Sequence, residues 1–188
     1  HQLAPGVTVD VTSLSLETAH MLESGEVDLA LGFMPQLDAG FYQQTLFAQR
    51  YVCLASVDHP RIQGELTLER FQAEEHAMVI SSGTGHGYLE RELARQGVTR
   101  KVVLRVPNFL GVAFVVEHTD LVVTIPARLG EMLSQHGRFR IYPTPFALPG
   151  YTVKQFWHER FHHDPGNRWL RGLIRELLGE AAANARRP

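Results

Sequence analysis

The residues best placed to bind a small molecule form a glycine-rich loop at positions 81–87. The loop reads Ser-Ser-Gly-Thr-Gly-His-Gly, and it lies between a predicted strand and a predicted helix. Glycines at alternate positions let the backbone approach a ligand closely, while the free N–H groups and positive dipole end of the following helix favour a carboxylate or similar anion. His86 adds a group whose charge switches near neutral pH. The pattern predicts either an anion-binding loop or a flexible turn with a solvent-facing histidine.

Two well-known phosphate-binding patterns do not fit this loop. Tyr88 stands where the dinucleotide fingerprint requires its third glycine, and no Gly-Lys-Ser/Thr follows, as a P-loop requires. The loop therefore belongs to neither of these two classes.

Arg128 occupies a comparable place later in the chain. It lies one turn into a helix that is predicted to begin at Pro126, directly after a strand predicted at 121–125. Ligands of open α/β sheets bind at the carboxyl ends of the strands, so both loops are candidates for one site. The alternative is that Arg128 is a solvated surface charge.

Other reactive residue types give little support for a metal centre or for catalysis. His158, His162 and His163 lie between a strand end and a helix start, in a segment to which no fixed helical spacing can be assigned. Cys53 lies in the apolar run YVCLAS, which is typical of a buried core thiol. Neither a Gly-x-Ser-x-Gly elbow nor a Ser-x-x-Lys pair occurs in the sequence. We expect no metal, no cofactor and no enzymatic activity.

Composition bounds the class of protein. The 188 residues carry a net charge of −2, which provides no excess of Lys and Arg for nonspecific nucleic-acid binding. No apolar run approaches the roughly 20 residues that span a bilayer, and the first residues lack the basic and apolar segments of a signal peptide. With a single cysteine, these features predict a soluble, cytoplasmic protein that makes no membrane contact.

Strands and helices are predicted to alternate, which indicates an α/β architecture with mostly parallel sheets. Strands are predicted at 8–14, 27–32, 41–47, 51–56, 77–81, 101–106, 121–125, 139–142 and 151–158, and helices at 18–23, 67–71, 88–96, 109–117, 126–136 and 164–179. A proline-rich connection at 143–150 is either a hinge or a surface loop.

Several segments together resemble the effector-binding domain of LysR-type transcriptional regulators. The resemblance extends over residues 3–180, and the segments that carry it most clearly are Ser-Gly-Glu-Val-Asp-Leu-Ala-Leu-Gly at 24–32, Asp-His-Pro at 58–60, Gly-Thr-Gly-His-Gly at 83–87, Trp157-His158 and Asp-Pro-Gly-Asn at 164–167. The combination is similar to the subgroup that responds to salicylate and nitroaromatics, with flavonoid-responsive nodulation regulators as near relatives.

The resemblance implies two Rossmann-like subdomains, as in type II periplasmic binding proteins, with the effector in the cleft between them. Subdomain I would comprise residues 1–44 plus 150–181 and subdomain II residues 45–149, which leaves 182–188 as a mobile tail. The family's winged helix-turn-helix, and the first strand and most of the first helix of its effector domain, would be absent from this chain. Cleft contacts from that strand are then not expected here.

The family's cleft positions carry over to Gln49, Thr84, Gly85, His86, Asn108, Phe109, Arg128 and Phe156. By this resemblance His86 and Arg128 would pair with a carboxylate, Gln49 would bond a ring substituent and the aromatic side chains would hold the ring faces. The implied partners are a small aromatic acid such as salicylate, further copies of the chain in a dimer or tetramer, and DNA through an N-terminal domain that this chain lacks.

Two other classes of protein remain as alternatives. A solute-binding protein of a transport system has the same fold, but no signal peptide is predicted here. An enzyme on an α/β scaffold is the other, since fold does not fix function, but no nucleophile or acid–base pair stands out.

Overall fold

The computed structural model describes residues 3–37, 39–80 and 85–179, which form two β-sheets with helices packed against them. The helices are α1 (Thr18–Ser24), α2 (Leu68–Ala73), α3 (Gly85–Arg95), α4 (Phe109–Glu117), α5 (Ala127–Ser134) and α6 (Pro165–Leu178). The strands are β1 (Ala30–Gly32), β2 (Phe41–Gln49), β3 (Tyr51–Ser56), β4 (Glu75–Val79), β5 (Lys101–Val106), β6 (Val122–Pro126), β7 (Phe139–Pro143) and β8 (Tyr151–His158).

The smaller sheet has three strands in the order β1-β8-β2, and both of its ladders are antiparallel. The central strand β8 places Phe156 opposite Ala30 of β1, and Tyr151 opposite Gln49 of β2. The core beneath this sheet contains Leu22, Ala30, Met34, Leu37 and Phe156.

The larger sheet has five strands in the order β5-β4-β6-β3-β7. Strand β4 is parallel to β5 and β6, whereas β3 is antiparallel to β6 and β7. The prediction of mostly parallel sheets is therefore wrong. The parallel strands β4, β5 and β6 are joined through α3 and α4, as parallel pairing requires, whereas β3 lies between β6 and β7 and runs in the opposite direction to both.

Strand β3 forms the centre of the larger core. All six residues from Tyr51 to Ser56 are buried, so both faces of this strand are covered. One face packs with α4, and the other packs around Phe71 of α2. Helix α5 lies close to β3 because Gly130 has no side chain: a Cβ at that position would stand 2.9 Å from Cγ2 of Val52.

The strand predicted at 8–14 is not formed. This segment is irregular in the structure: Val9 and Val11 are 70% and 91% exposed, and Leu14 alone of its apolar side chains packs against the core of the smaller sheet. Alternation of apolar and polar residues favours a strand only where a neighbouring strand supplies hydrogen bonds. In the described part of the chain the ladder partner of β1 is β8, and residues 8–14 join no ladder.

The chain passes between the sheets at two places, which we call the sheet links. The first is the single residue Arg50 between β2 and β3, and the second is the segment 144–150 between β7 and β8. The links touch each other, since a Cβ on Gly150 would lie 2.9 Å from the carbonyl oxygen of Gln49. The predicted subdomain boundaries at 44/45 and 149/150 stay a prediction, and the sheet links lie near both.

Candidate functional site

Gln49 and Arg128 meet at the first sheet link. Gln49 is the last residue of β2 and is 8% exposed, and Arg128 is the second residue of α5. The side-chain oxygen Oε1 of Gln49 accepts a hydrogen bond from the backbone N–H of Arg50 (3.0 Å) and lies 3.5 Å from that of Arg128. Gln49 thus caps one of the open N–H groups at the start of α5, where no side chain of the N-cap residue, Pro126, does so. Its –NH₂ group is the donor with which it can bind a ligand.

The Arg128 guanidinium connects the larger sheet to elements of the smaller one. Its Cζ lies 3.6 Å from the ring centroid of Phe47 on β2, which is a close cation–π contact. Its Nη1 donates to the carbonyl oxygen of Leu178, the last residue of α6, at 3.1 Å. The predicted solvated surface charge is therefore a poor description of Arg128, because this side chain joins α5, β2 and α6.

The predicted glycine-rich loop lies partly outside the described residues. Gly85 and His86 are the first two residues of α3, so the helix predicted after the loop is present. Thr84 lies outside the described residues, and so does the side chain of His86. The predicted roles of these positions stay predictions.

Four aromatic rings lie between the start of α3 and the sheet links, and we call them the ring cluster: Phe33, Tyr51, Tyr88 and Tyr151. The Phe33 ring, just past β1, lies 5.9 Å from the Tyr88 ring on α3 and 5.5 Å from the Tyr151 ring. The Tyr151 ring lies 5.2 Å from that of Tyr51. Burial raises the pKa of Tyr151 to about 12 and raises the pKa of Tyr51 still further, so both phenols are neutral in the physiological range.

The ring cluster was not predicted, although two features of the sequence indicate it. Phe33 directly follows the carboxyl end of a predicted strand, which is where α/β proteins place ligand-binding residues. Tyr88, which excludes a dinucleotide fingerprint, is also an aromatic residue directly after the glycine-rich loop. No sequence signal places Tyr151 beside Phe33, because that contact depends on the pairing of β1 with β8, which are far apart in the sequence.

Asn108 and Phe109 contribute to α4. Asn108 is the N-cap residue, and its Oδ1 accepts from the backbone N–H of Gly111 at 2.8 Å. Phe109 is half-buried and packs against the core of the larger sheet. Both side chains thus have structural roles that account for their residue types, and their predicted ligand contacts stay a prediction.

Replacing Asn108 with alanine should therefore lower the free energy of unfolding by about 1 kcal/mol, because the N–H of Gly111 loses its acceptor. Asn108→Ser is the matched control, since a serine oxygen also caps helices, and it should cost only a few tenths of that amount. Urea denaturation followed by circular dichroism measures both. Equal losses in the two variants would show that Asn108 acts through something other than its cap.

Phe156 is a core residue in this structure. It lies on β8, the central strand of the smaller sheet, is 1% exposed, and packs with Leu22, Met34 and Leu37. A contact between its ring and an effector would require this core to rearrange. The predicted contact stays a prediction, and its expected consequences are treated in the Discussion.

The segment from His158 to His162 has the His-Glu-x-x-His spacing of zinc proteases, which requires both histidines on one face of a helix. The structure instead has a 3₁₀ turn over Glu159–Phe161. Nδ1 of His158 accepts from the backbone of Arg160. Nδ1 of His162 accepts from the indole Nε1 of Trp157 at 3.2 Å, and burial lowers the pKa of this histidine. Within 3–37, 39–80 and 85–179, no group of three His, Cys, Asp or Glu residues is arranged to hold a metal.

An open hollow lies beside α2, and none of the predicted site residues lines it. It is lined in part by Gln63, Glu65 and Arg70, and Nη1 of Arg70 already donates to the carbonyl oxygen of Glu65 at 2.7 Å.

Comparison with known proteins identifies the family of the chain. The family profile described as "LysR substrate binding domain" matches residues 1–179. The chain belongs to the LysR substrate-binding domain family. The resemblance of the chain to this family is thereby confirmed.

Relatives of this LysR substrate-binding domain are named as regulators of transcription. The chain is 39% identical over 178 residues to the HTH-type transcriptional activator NahR of Pseudomonas putida, covering 95% of this chain and 59% of NahR. It is 41% identical over 160 residues to the HTH-type transcriptional activator NagR of Ralstonia sp, covering 85% of this chain and 53% of NagR. The chain thus spans a little more than half the length of these relatives. Their names do not favour an enzyme or a transport protein.

Solved structures confirm the fold class. The regulatory domain of MexT, a transcriptional activator in Pseudomonas aeruginosa, superposes with a TM-score of 0.78 at 30% identity, covering 93% of this chain and 86% of that structure. The α/β fold with two sheets is that of LysR effector-binding domains, which is the type II periplasmic-binding-protein fold. None of the helices in the described part of the chain is long and apolar enough to cross a membrane.

Proposed function

We propose that this domain senses a small aromatic carboxylate, such as salicylate, and thereby controls transcription by the whole regulator. The observation that carries the proposal is the convergence of Gln49 and Arg128 where the chain passes between the sheets. A guanidinium and an amide donor at such a place suit a carboxylate with a polar ring substituent. The resemblance to the salicylate- and nitroaromatic-responsive subgroup supports the same class of ligand.

Arg128 would bind the carboxylate by exchanging partners. Its Nη1 now donates to the neutral carbonyl oxygen of Leu178. A carboxylate carries a full negative charge and can accept two parallel N–H bonds from a guanidinium, whereas the carbonyl is a single neutral acceptor, so a carboxylate within reach competes well with that carbonyl. The –NH₂ group of Gln49 would donate to a hydroxyl or nitro oxygen on the ring.

This exchange would couple ligand binding to the arrangement of the sheets. Arg128 lies on α5, which packs against the larger sheet. Phe47 lies on β2 of the smaller sheet, and Leu178 lies on α6, which contacts β2. A ligand that draws the guanidinium away from Leu178 breaks the hydrogen bond between α5 and α6. An effector shifts a conformational equilibrium by the difference in its affinity for the two states, and this contact supplies such a difference.

The remaining parts of the proposal concern the whole protein. DNA would be bound by the helix-turn-helix part that the relatives' names describe, and not by this chain. Self-association as a dimer or tetramer would carry the change in this domain to the DNA, and the regulator would act in the cytoplasm.

Thermal unfolding with and without ligand tests the proposal. Salicylate, benzoate and nitrobenzoates are the panel, and an acid that binds this domain should raise the melting temperature by several degrees at 100 times its Kd, a stabilisation of about 2.7 kcal/mol. Arg128→Ala should weaken binding of that acid roughly 10- to 100-fold, because a hydrogen bond to a charged group contributes about 1.5–3 kcal/mol.

Arg140→Ala is the matched control. It removes the same charge from β7, where the arginine makes only a 3.5 Å contact with Gln63. Affinity should be unchanged in this variant. Equal loss of affinity in both variants would indicate a general effect of net charge, and a panel in which no acid stabilises the natural chain would refute the proposed ligand class.

A further inference from the structure

We propose that the ring cluster determines ligand specificity, by making the domain prefer aromatic carboxylates over saturated ones of the same size. Phe33, Tyr88 and Tyr151 are the residues that carry this preference. The inference rests on the proposed function. It assigns recognition of the ligand's ring to side chains that lie outside the glycine-rich loop at 81–87.

The position of the ring cluster is the first argument. Tyr151 is the ladder partner of Gln49, and Gln49 in turn lies 3.5 Å from the backbone nitrogen of Arg128. Tyr88 is in the first turns of α3, two residues after His86. The rings therefore lie between the two places where the polar site residues are found.

The origin of the rings is the second argument. Phe33 follows β1 of the smaller sheet, whereas Tyr88 lies on α3, which connects strands of the larger sheet. Their centroids are 5.9 Å apart with the planes at 67°, an edge-to-face arrangement. A ligand ring that touches both side chains would touch both sides of the domain at once.

The environment of the rings is the third argument. Tyr51 and Leu89 are buried and support Tyr88 and Tyr151 from one side. Phe33, Tyr88 and Tyr151 themselves are only half-buried, so part of each ring is open to a ligand. The Tyr88 hydroxyl lies 3.4 Å from the carbonyl oxygen of Pro149, so the ring lies beside the second sheet link.

The chemistry favours planar ligands. Aromatic rings attract each other edge to face or offset-stacked, beyond what apolar burial alone provides. A saturated ring of equal size offers comparable burial but no such electrostatic match. The expected preference for an aromatic acid is roughly threefold to tenfold in Kd.

The test compares benzoate with cyclohexanecarboxylate, which share a carboxylate and a six-membered ring. Isothermal titration calorimetry of the 188-residue chain should give a lower Kd for benzoate by the factor stated. Phe33→Leu and Tyr88→Leu should each bring the ratio of the two Kd values towards one, because leucine keeps an apolar side chain and removes the ring. Tyr88→Phe is the control, and it should keep the ratio since only the hydroxyl is lost.

The ratio of the two Kd values distinguishes a loss of ligand specificity from a loss of stability. A variant that only loosens the fold weakens both acids together, and Arg128→Ala should likewise weaken both and leave their ratio intact. Binding that persists in Phe33→Leu and Tyr88→Leu with an unchanged ratio would overturn the inference while leaving the proposed function in place. Failure of the natural chain to bind these two acids, salicylate or any nitrobenzoate would refute the proposed function and the inference with it.

Discussion

Replacing Phe156 with alanine is expected to lower the free energy of unfolding by about 3–5 kcal/mol. The side chain is 1% exposed on the central strand β8, and its neighbours Leu22, Met34 and Leu37 are buried with it. Removing the ring deletes buried apolar surface and leaves a cavity that a strand hydrogen-bonded on both sides cannot close. Urea denaturation followed by circular dichroism measures the loss.

Phe156→Leu keeps the experiment informative if the alanine variant does not fold. Leucine fills most of the volume, so the loss should stay below about 1.5 kcal/mol. Ligand affinity should then be close to that of the natural chain. A small loss of stability in either variant, together with a large loss of affinity, would show that the ring faces the ligand, as the family resemblance implies.

Acidification from pH 6.5 to pH 4 is expected to destabilise the domain by about 3 kcal/mol through His76 alone. This histidine on β4 is 0% exposed, and burial lowers its pKa from 6.5 to about 4. Its Nε2 lies 2.6 Å from the carbonyl oxygen of Phe71, and a carbonyl can only accept, so Nε2 carries the proton of the neutral ring. The nearby charge of Arg100 lowers the pKa further.

The sign follows from proton binding. Between pH 6.5 and pH 4 the unfolded chain binds a proton at His76 and the folded chain does not, so stability rises with pH over this interval. The contribution is complete above pH 6.5 and is lost as the pH falls towards 4.

His76→Gln supplies the comparison, because its side-chain nitrogen can donate to Phe71 and does not titrate. The difference in unfolding free energy between the natural chain and this variant should change by about 3 kcal/mol between pH 7 and pH 4. Parallel curves would show that His76 is protonated in the folded state.

Local signals predicted the elements whose ends are encoded by short-range chemistry. Helix α6 begins where Asp164 and Pro165 predict it, and Oδ1 of Asp164 accepts from the backbone N–H of Asn167 at 2.7 Å. Strand β8 has the predicted bounds of 151–158. Caps, turns and periodicity act within a few residues, so a single sequence is enough to read them.

The features that depend on distant partners could not be predicted. The alternating segment 8–14 has strand periodicity but no ladder partner among the described residues, and the antiparallel direction of β3 depends on its distant partners β6 and β7. For the same reason the candidate site was predicted only in part. Gln49 was predicted from family resemblance and Arg128 also from its place after a predicted strand, whereas the contacts of Arg128 with Phe47 and Leu178 depend on how α5 packs against β2 and α6.

Binding of an aromatic acid between the sheets can be measured by nuclear magnetic resonance of the isotopically labelled chain, titrated with salicylate. We expect saturable shifts of the Gln49 side-chain amide, of the Arg128 guanidinium and of the backbone amides of Tyr88 and Tyr151. Resonances of the hollow beside α2, such as that of Arg70, should not move. Spectra that stay unchanged at a large excess of salicylate, or shifts centred on that hollow, would contradict the claim that the site between the sheets binds an aromatic acid.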